Sequence, residues 1–255
     1  MRTVARISYS PVRTFRMQHA DAIELGPDGF DRNRRFMLVN ADGERLRSSA
    51  TSWPIVLRAD YDPLAERLRV IFPDGTVHEA DARGNGETVH PTVGDRVVES
   101  AVVPGPWEAG LAALAGQPVR IVRPRVSREA FTTRMPVTIV SDGSRRALEE
   151  AAGGAVDLRR FRMLLEVDGC APHEEDGWEG RRIRVGEVVL RVGGPVARCA
   201  MTTRDPETGE RDLDTLRVIR GYRGQRDTDG AILFGVYADV EEPGLVRVGD
   251  ALELL

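Results

Sequence analysis

The chain has 255 residues, 41% apolar and 30% charged, with a formal net charge of −4. That is the profile of a globular protein able to bury a sizeable core as one large domain or two small ones, and it offers no bulk attraction for nucleic acid. Every one of the 36 basic residues is arginine. An anion site must therefore use guanidinium groups or backbone amides, and a lysine Schiff base to pyridoxal phosphate is excluded.

Two cysteines do not make a disulfide framework. No basic-plus-apolar leader follows Met1 and no apolar run reaches the roughly 18 residues of a membrane span. The expectation from these features is a cytoplasmic protein without a membrane partner.

In chain order, residues 3–9 alternate as a strand does, and Pro11-Val12-Arg13-Thr14 opens a loop. Residues 22–25 read as a short strand before the turn Gly26-Pro27-Asp28-Gly29. Residues 31–40 carry Arg34-Arg35-Phe36 into an apolar strand, and Asn40-Ala41-Asp42-Gly43 closes a hairpin whose return begins at Leu46-Arg47-Ser48-Ser49. Strands are predicted around 55–59, 68–72 and 76–79, with 93–98 as the last of this half. Gly84-Asn85-Gly86 has no following helix and no lysine, so it reads as a turn rather than a phosphate loop.

Residues 107–115 suit a short helix ended by Gly116. A strand follows at 118–122, and the polar, arginine-rich residues 123–135 are the linker candidate. A strand at 137–140 leads into a helix capped by Ser141 or Asp142 and stopped by Gly153-Gly154. Residues 161–167 are predicted as a strand and 183–190 as a hairpin. Residues 214–220 are predicted as a helix capped by Asp212 or Asp214. Many short strands with regular turns point to barrels or sandwiches.

The apolar run 188–192 leads towards Cys199, and the turn Asp205-Pro206-Glu207-Thr208-Gly209 follows it. Cys199 is thus expected near a strand end facing a cleft. There it is a soft metal ligand, a nucleophile or a small buried apolar residue. Cys170, after a strand end at Asp168-Gly169, reads as a buried structural cysteine. His173-Glu174-Glu175-Asp176 lacks the i, i+4 spacing of a metal site, and no hydrolase triad or dinucleotide glycine pattern is present.

The run Arg198-Cys199-Ala200-Met201-Thr202-Thr203-Arg204-Asp205-Pro206-Glu207-Thr208-Gly209 resembles the cysteine motif of MOSC-domain proteins. Within that family it is similar to the mitochondrial amidoxime-reducing component and its bacterial relatives. Phe161-Arg162, Asp168-Gly169-Cys170, Phe234-Gly235-Val236-Tyr237 and Pro243-Gly244-Leu245-Val246-Arg247-Val248-Gly249-Asp250 extend the resemblance, and Pro11-Val12-Arg13-Thr14 and the strand after Arg35 carry it into the N-terminal half.

The resemblance implies a mainly β fold with a few helices: an N-terminal β-barrel-like domain over residues 1–123 and a MOSC β-barrel over 124–255. It implies a molybdenum cofactor ligated by Cys199, with Arg13, Thr14, Arg35, Arg47, Ser48, Thr133, Arg162 and Arg198 as cofactor-binding residues between the halves. The activity implied is reduction of N-hydroxylated small molecules by oxygen-atom removal. Two cysteines cannot supply an iron–sulfur cluster, so electrons would come from a separate reductase or carrier. Ala197 departs from the polar residue that relatives often place two positions before the cysteine. Two alternatives stand beside this: a sulfur carrier with a persulfide on Cys199, and a protein that holds molybdopterin without turnover.

Overall fold

Residues 1–46, 51–94, 96–125 and 135–255 are described by the structure, a computed structural model. The first strand, β1 (Arg2–Tyr9), buries Val4 and Ile7 as its alternation predicts. Short strands β2 (Gln18–Ala20), β3 (Ala22–Gly26) and β4 (Gly29–Phe30) follow, then β5 (Met37–Asn40). A meander is formed by β6 (Arg58–Asp62), β7 (Arg67–Ile71) and β8 (Val77–Asp81). The first half is completed by β9 (Thr88–Val89), β10 (Thr92–Val93), β11 (Arg96–Val97), β12 (Ser100–Val103), α1 (Glu108–Ala115) and β13 (Val119–Pro124).

In the second half β14 (Val137–Ser141) runs into α2 (Asp142–Ala152), followed by β15 (Leu165–Asp168), β16 (Arg182–Val185) and β17 (Val188–Ala197). Then come α3 (Thr215–Arg223), β18 (Leu233–Glu242), β19 (Gly244–Arg247) and β20 (Ala251–Leu254). Ser141 caps α2, its Oγ accepting from the Ser144 amide at 3.0 Å, and Gly153 ends it at φ 73°. Asp214, not Asp212, caps α3, accepting from the Arg217 amide at 3.0 Å.

The main sheet runs β15-β14-β18-β17-β16-β20-β1-β2, and an added β15–β1 pairing closes it into a barrel. Its interior holds Val4, Ile7, Ile139, Leu165, Ile183, Leu190 and Val236. The expected fold, mainly β with a few helices and a closed barrel, is what the chain adopts. The parallel neighbours β14 and β15 are joined by the α2 crossover, as a parallel pair requires. A second core is built from β5, β6, β7, β12, β13 and α1 around Phe36, Leu38, Tyr61, Val70, Trp107 and Ile121. A third lies outside the barrel, where Leu148 and Ile219 meet Phe161, Met163, Val196 and Phe234.

Three predicted elements differ. The strand expected at 55–59 starts only at Arg58, because Pro54 seats a 3-10 turn over Trp53–Val56. The strand expected at 161–167 begins at Leu165. The 3-10 helix Leu158–Phe161 precedes it, and Arg162 then turns the chain at φ +55°. The strand expected at 93–98 is the pair β10–β11, and the half continues through β12 and β13.

Residues at the start of the chain pair across the expected boundary at 123. Val4 lies opposite Val167, Arg2 opposite Leu252, and β3 pairs with β19. The division into 1–123 and 124–255 therefore stays a proposal.

Candidate functional site

Three chain segments meet at one cavity. The first is the loop after β1. Val12 bridges to Phe36, the Arg13 amide donates to the Phe36 carbonyl at 2.8 Å, and the Ser10 Oγ donates to the carbonyls of Val12 (2.8 Å) and Phe15 (3.1 Å). Those bonds hold Thr14 at φ +82°, a left-handed conformation rare for a β-branched residue. Such strain is sustained only where the surroundings over-determine it, and it clusters at functional sites. The second segment is the 3-10 helix Leu158–Phe161 and its left-handed exit at Arg162. The Asp157 carboxylate starts that helix by accepting from the Arg159 amide at 2.9 Å.

The third segment is the end of β17. Its pairing with β18 slips between Val192 and Pro195 and again before Ala197, which bends the strand at the rim of the barrel. Cys199 follows, exposed and free. Its carbonyl starts the 3-10 helix Ala200–Thr203, accepting from both the amide and the Oγ1 of Thr202 at 3.1 Å. The thiol is therefore carried on a backbone pinned on both sides.

The cavity, of about 250 Å³, is lined by Arg13, Thr14, Arg34, Arg160, Arg162, Arg198, Cys199 and Tyr237, with Phe161, Met163, Val196 and Met201 as apolar wall. Among the described residues, five of the lining residues are arginine and none is a carboxylate. Burial first, then mutual repulsion, pushes Arg13 and Arg162 down to about 9, and burial with Arg34 beside it does the same to Arg198. Burying like charges together is costly unless an anion joins them.

The arginines do not play one part. Arg198 donates from Nε to the Phe234 carbonyl at 2.8 Å and from Nη1 to the Phe161 carbonyl at 2.9 Å, and its guanidinium lies 5.2 Å from the Phe161 ring. It braces the cysteine's strand. Arg160 is paired to Asp212 through both ends, at 2.6 and 2.5 Å. Arg162 gives one N–H to the Phe15 carbonyl at 2.7 Å, and Arg34 gives one to the Arg162 carbonyl at 3.0 Å. A guanidinium has five donors, so both retain N–H groups for a ligand.

Of the residues expected at the site, Arg13, Thr14, Arg162, Arg198 and Cys199 are brought together. Arg35 is not. The left-handed turn at Arg34 (φ +54°) sends that side chain to the cavity, and Arg35 instead sits within electrostatic reach of Glu66 and Tyr61 in the first half. Arg47, Ser48 and Thr133 lie outside the described residues.

Arg34, Arg160 and Tyr237 were missed as lining residues. Tyr237 was legible only as part of the Phe-Gly-Val-Tyr run, and its position follows from its pairing with Thr138. Cys170 is buried, and desolvation pushes its thiol up to about 12. Glu175 is fully buried, accepting from the hydroxyls of Ser141 (2.6 Å) and Ser144 (2.5 Å), so its stretch braces the fold. Among the described residues no group of three or more His, Cys, Asp or Glu is placed to hold a metal ion.

The family profile that matches is the MOSC domain, over residues 126–253. Mitochondrial amidoxime-reducing component 1 of Xenopus laevis is 32% identical over 288 residues, spanning 97% of this chain and 80% of that one. The protein of the same name from Mus musculus is 30% identical over 151 residues, 52% of this chain and 44% of that one. For the Homo sapiens protein the figures are 32% over 132 residues, 49% and 39%. Against the mouse and human proteins the match thus spans less than half their length.

These names overturn the cytoplasmic expectation. The relatives are called mitochondrial, and a compartment inferred only from the lack of a leader has no physical hold against that. Among the described residues no helix is long and apolar enough to cross a membrane.

Proposed function

The chain belongs to the MOSC-domain family, and on that premise we propose that it is a molybdenum-cofactor oxidoreductase acting on N-hydroxylated small molecules. The observation that carries this reading is the exposed thiol of Cys199 on a cavity lined, among the described residues, by five arginines and no carboxylate. A soft thiolate suits a molybdenum already held by pterin sulfurs, and planar guanidinium groups match phosphate oxygens. The donor set present fits that group.

In this assignment Cys199 is the metal ligand, and Arg13, Thr14, Arg34 and Arg162 hold the pterin phosphate. When bound, the cofactor supplies two-electron chemistry that removes oxygen from an N–OH group. The chain's own part is to bind and orient. Arg198 keeps the cysteine's strand against Phe161 and Phe234. The apolar wall of Phe161, Met163 and Met201 limits water on one side of the cavity. Tyr237 offers a hydroxyl among the cations. Residues 1–123 and 124–255 would each contribute one wall, and a separate reductase or carrier would deliver electrons.

The test is the molybdenum and pterin content of protein from a cofactor-competent host, beside Cys199→Ser, followed by benzamidoxime reduction. We expect near-stoichiometric metal and turnover in the wild type, with both reduced at least about tenfold in the variant. Labile sulfur on Cys199 without molybdenum would instead identify a sulfur carrier. Molybdenum without turnover would identify a holding protein.

A further inference from the structure

The turn that closes the cysteine motif touches both other walls of the cavity. Its centre is Glu207, the middle residue of Asp205-Pro206-Glu207-Thr208-Gly209. Arg16, two residues beyond Thr14, reaches the Glu207 Oε2 with Nη1 at 2.6 Å and donates from Nη2 to the Glu207 carbonyl at 2.8 Å. Arg159, three residues before Arg162, pairs with the other carboxylate oxygen, Oε1. Arg159 is itself held by Asp157, whose Oδ2 accepts from its Nε at 2.9 Å and from its Nη2 at 2.6 Å. One carboxylate therefore joins the Arg13 loop, the Arg162 turn and the Cys199 loop.

The turn is stiff enough to transmit this. The Asp205 Oδ1 accepts from the amides of Glu207 and Thr208, both at 2.8 Å, and the Gly209 amide donates to the Asp205 carbonyl at 2.9 Å. Gly209 lies at φ +76°, and a Cβ there would come within 2.7 Å of the Ser52 carbonyl, so the turn seats closely on the first half. Arg160 secures the far end through Asp212.

We propose that Glu207 is a positioning residue: a three-way ion-pair clasp that sets the spacing of the cavity walls around Cys199. It is not among the residues that line the cavity, and it acts through Arg16 and Arg159. The inference rests on the reading of Cys199 as the working residue of the site. Because the clasp is partly solvated, with side-chain exposures of 45% for Glu207, 26% for Arg16 and 22% for Arg159, it is weakened by salt. A purely packed wall would not be.

The test uses the cofactor-free 255-residue chain and the rate of Cys199 alkylation by iodoacetamide. Cys170 is buried with its thiol pushed up, so it does not contribute. In low salt, Glu207→Gln is expected to react about threefold to fivefold faster than wild type, matching the loss of roughly one surface ion-pair network. Raising sodium chloride to about 1 M should bring the wild type up to the variant's rate while leaving the variant nearly unchanged. Glu207→Asp should recover part of the protection. Arg16→Gln, which removes one arm, gives a second variant should the first unfold. Glu79→Gln, which breaks an exposed pairing with Arg67 and Arg69 on the β7–β8 meander, is the control.

Equal rates for wild type and Glu207→Gln at every salt concentration would overturn the clasp, as would the same acceleration in Glu79→Gln. Metal content separates the two claims. Altered alkylation in a protein that never takes up molybdenum keeps the clasp and sinks the cofactor reading, and the reverse pattern does the opposite.

Discussion

At the scale of single residues, environment separates groups of one type into different roles. Cys199 is exposed beside cations, whereas Cys170 is buried near Glu174 and Glu175 with its thiol pushed up to about 12. Only the first has the surroundings of a ligand or nucleophile. His173 shows the same logic in reverse. Burial and the Arg223 guanidinium, whose Nη1 lies 2.9 Å from the His173 Nδ1, push the imidazole down to about 4 against the opposing pull of Glu175.

The unfolded chain takes up that proton near 6.5 and the folded one only near 4. Between these values the unfolded state binds more protons, so stability is full above about pH 6.5 and is lost as pH falls towards 4. Allowing for partial solvent exposure, the loss is about 2 kcal/mol. His173→Gln keeps an acceptor for Arg223 without the titration. Its melting temperature should therefore fall less than the wild type's between pH 7 and 4.5, and parallel curves for the two proteins would refute the assignment.

At the scale of elements, the site depends on how β14, β17 and β18 close on one another. Gly235 is a point of close backbone approach. It lies at φ +72°, and an added Cβ would meet the Ile139 carbonyl oxygen and the Met163 Cε, each at 2.6 Å. Neither contact is relieved by rotating a surface side chain. Gly235→Ala is expected to destabilise by more than about 2 kcal/mol and to disturb Arg198, whose Nη2 is 3.5 Å from the same point. A urea midpoint unchanged from wild type would show that β18 can shift freely there. The two 3-10 turns beside the cavity follow from local rules: Asp157 caps one and the Cys199 carbonyl starts the other.

At the scale of the whole molecule, β1 is the closing stave of the barrel. It pairs with β15 along one edge and with β20 and β2 along the other, joining Thr3 to Asp168 and Ala251. Without it β15 and β20 lose their β1 partner, and the core around Val4 and Ile7 loses one side. Residues 124–255 produced alone are expected to show no cooperative thermal transition, while a chain that also carries residues 1–30 recovers one. A sharp transition in the short fragment would mean that the barrel closes without β1. The same topology brings Arg13, Thr14 and Arg34 against residues numbered 138 to 237 at the cavity.

What the sequence determined by itself is whatever depends on neighbours along the chain. The alternation of residues 3–9, the capped helix after Ser141, the apolar run into Cys199 and the turn at Asp205-Pro206 were all legible, because their causes are pattern, capping and turn chemistry. The cysteine motif gave the family and singled out Cys199 as the candidate site residue. Two things waited on tertiary structure. One was which of Arg34 and Arg35 faces the cavity, since a single left-handed residue reverses the parity of a strand approach. The other was everything made by contacts between segments distant along the chain: the closure of the barrel by β1, the bracing of Cys199 by Phe161 through Arg198, and the meeting of Arg16 and Arg159 on Glu207. No local propensity encodes such pairings, because their partners come together only when the chain has already folded.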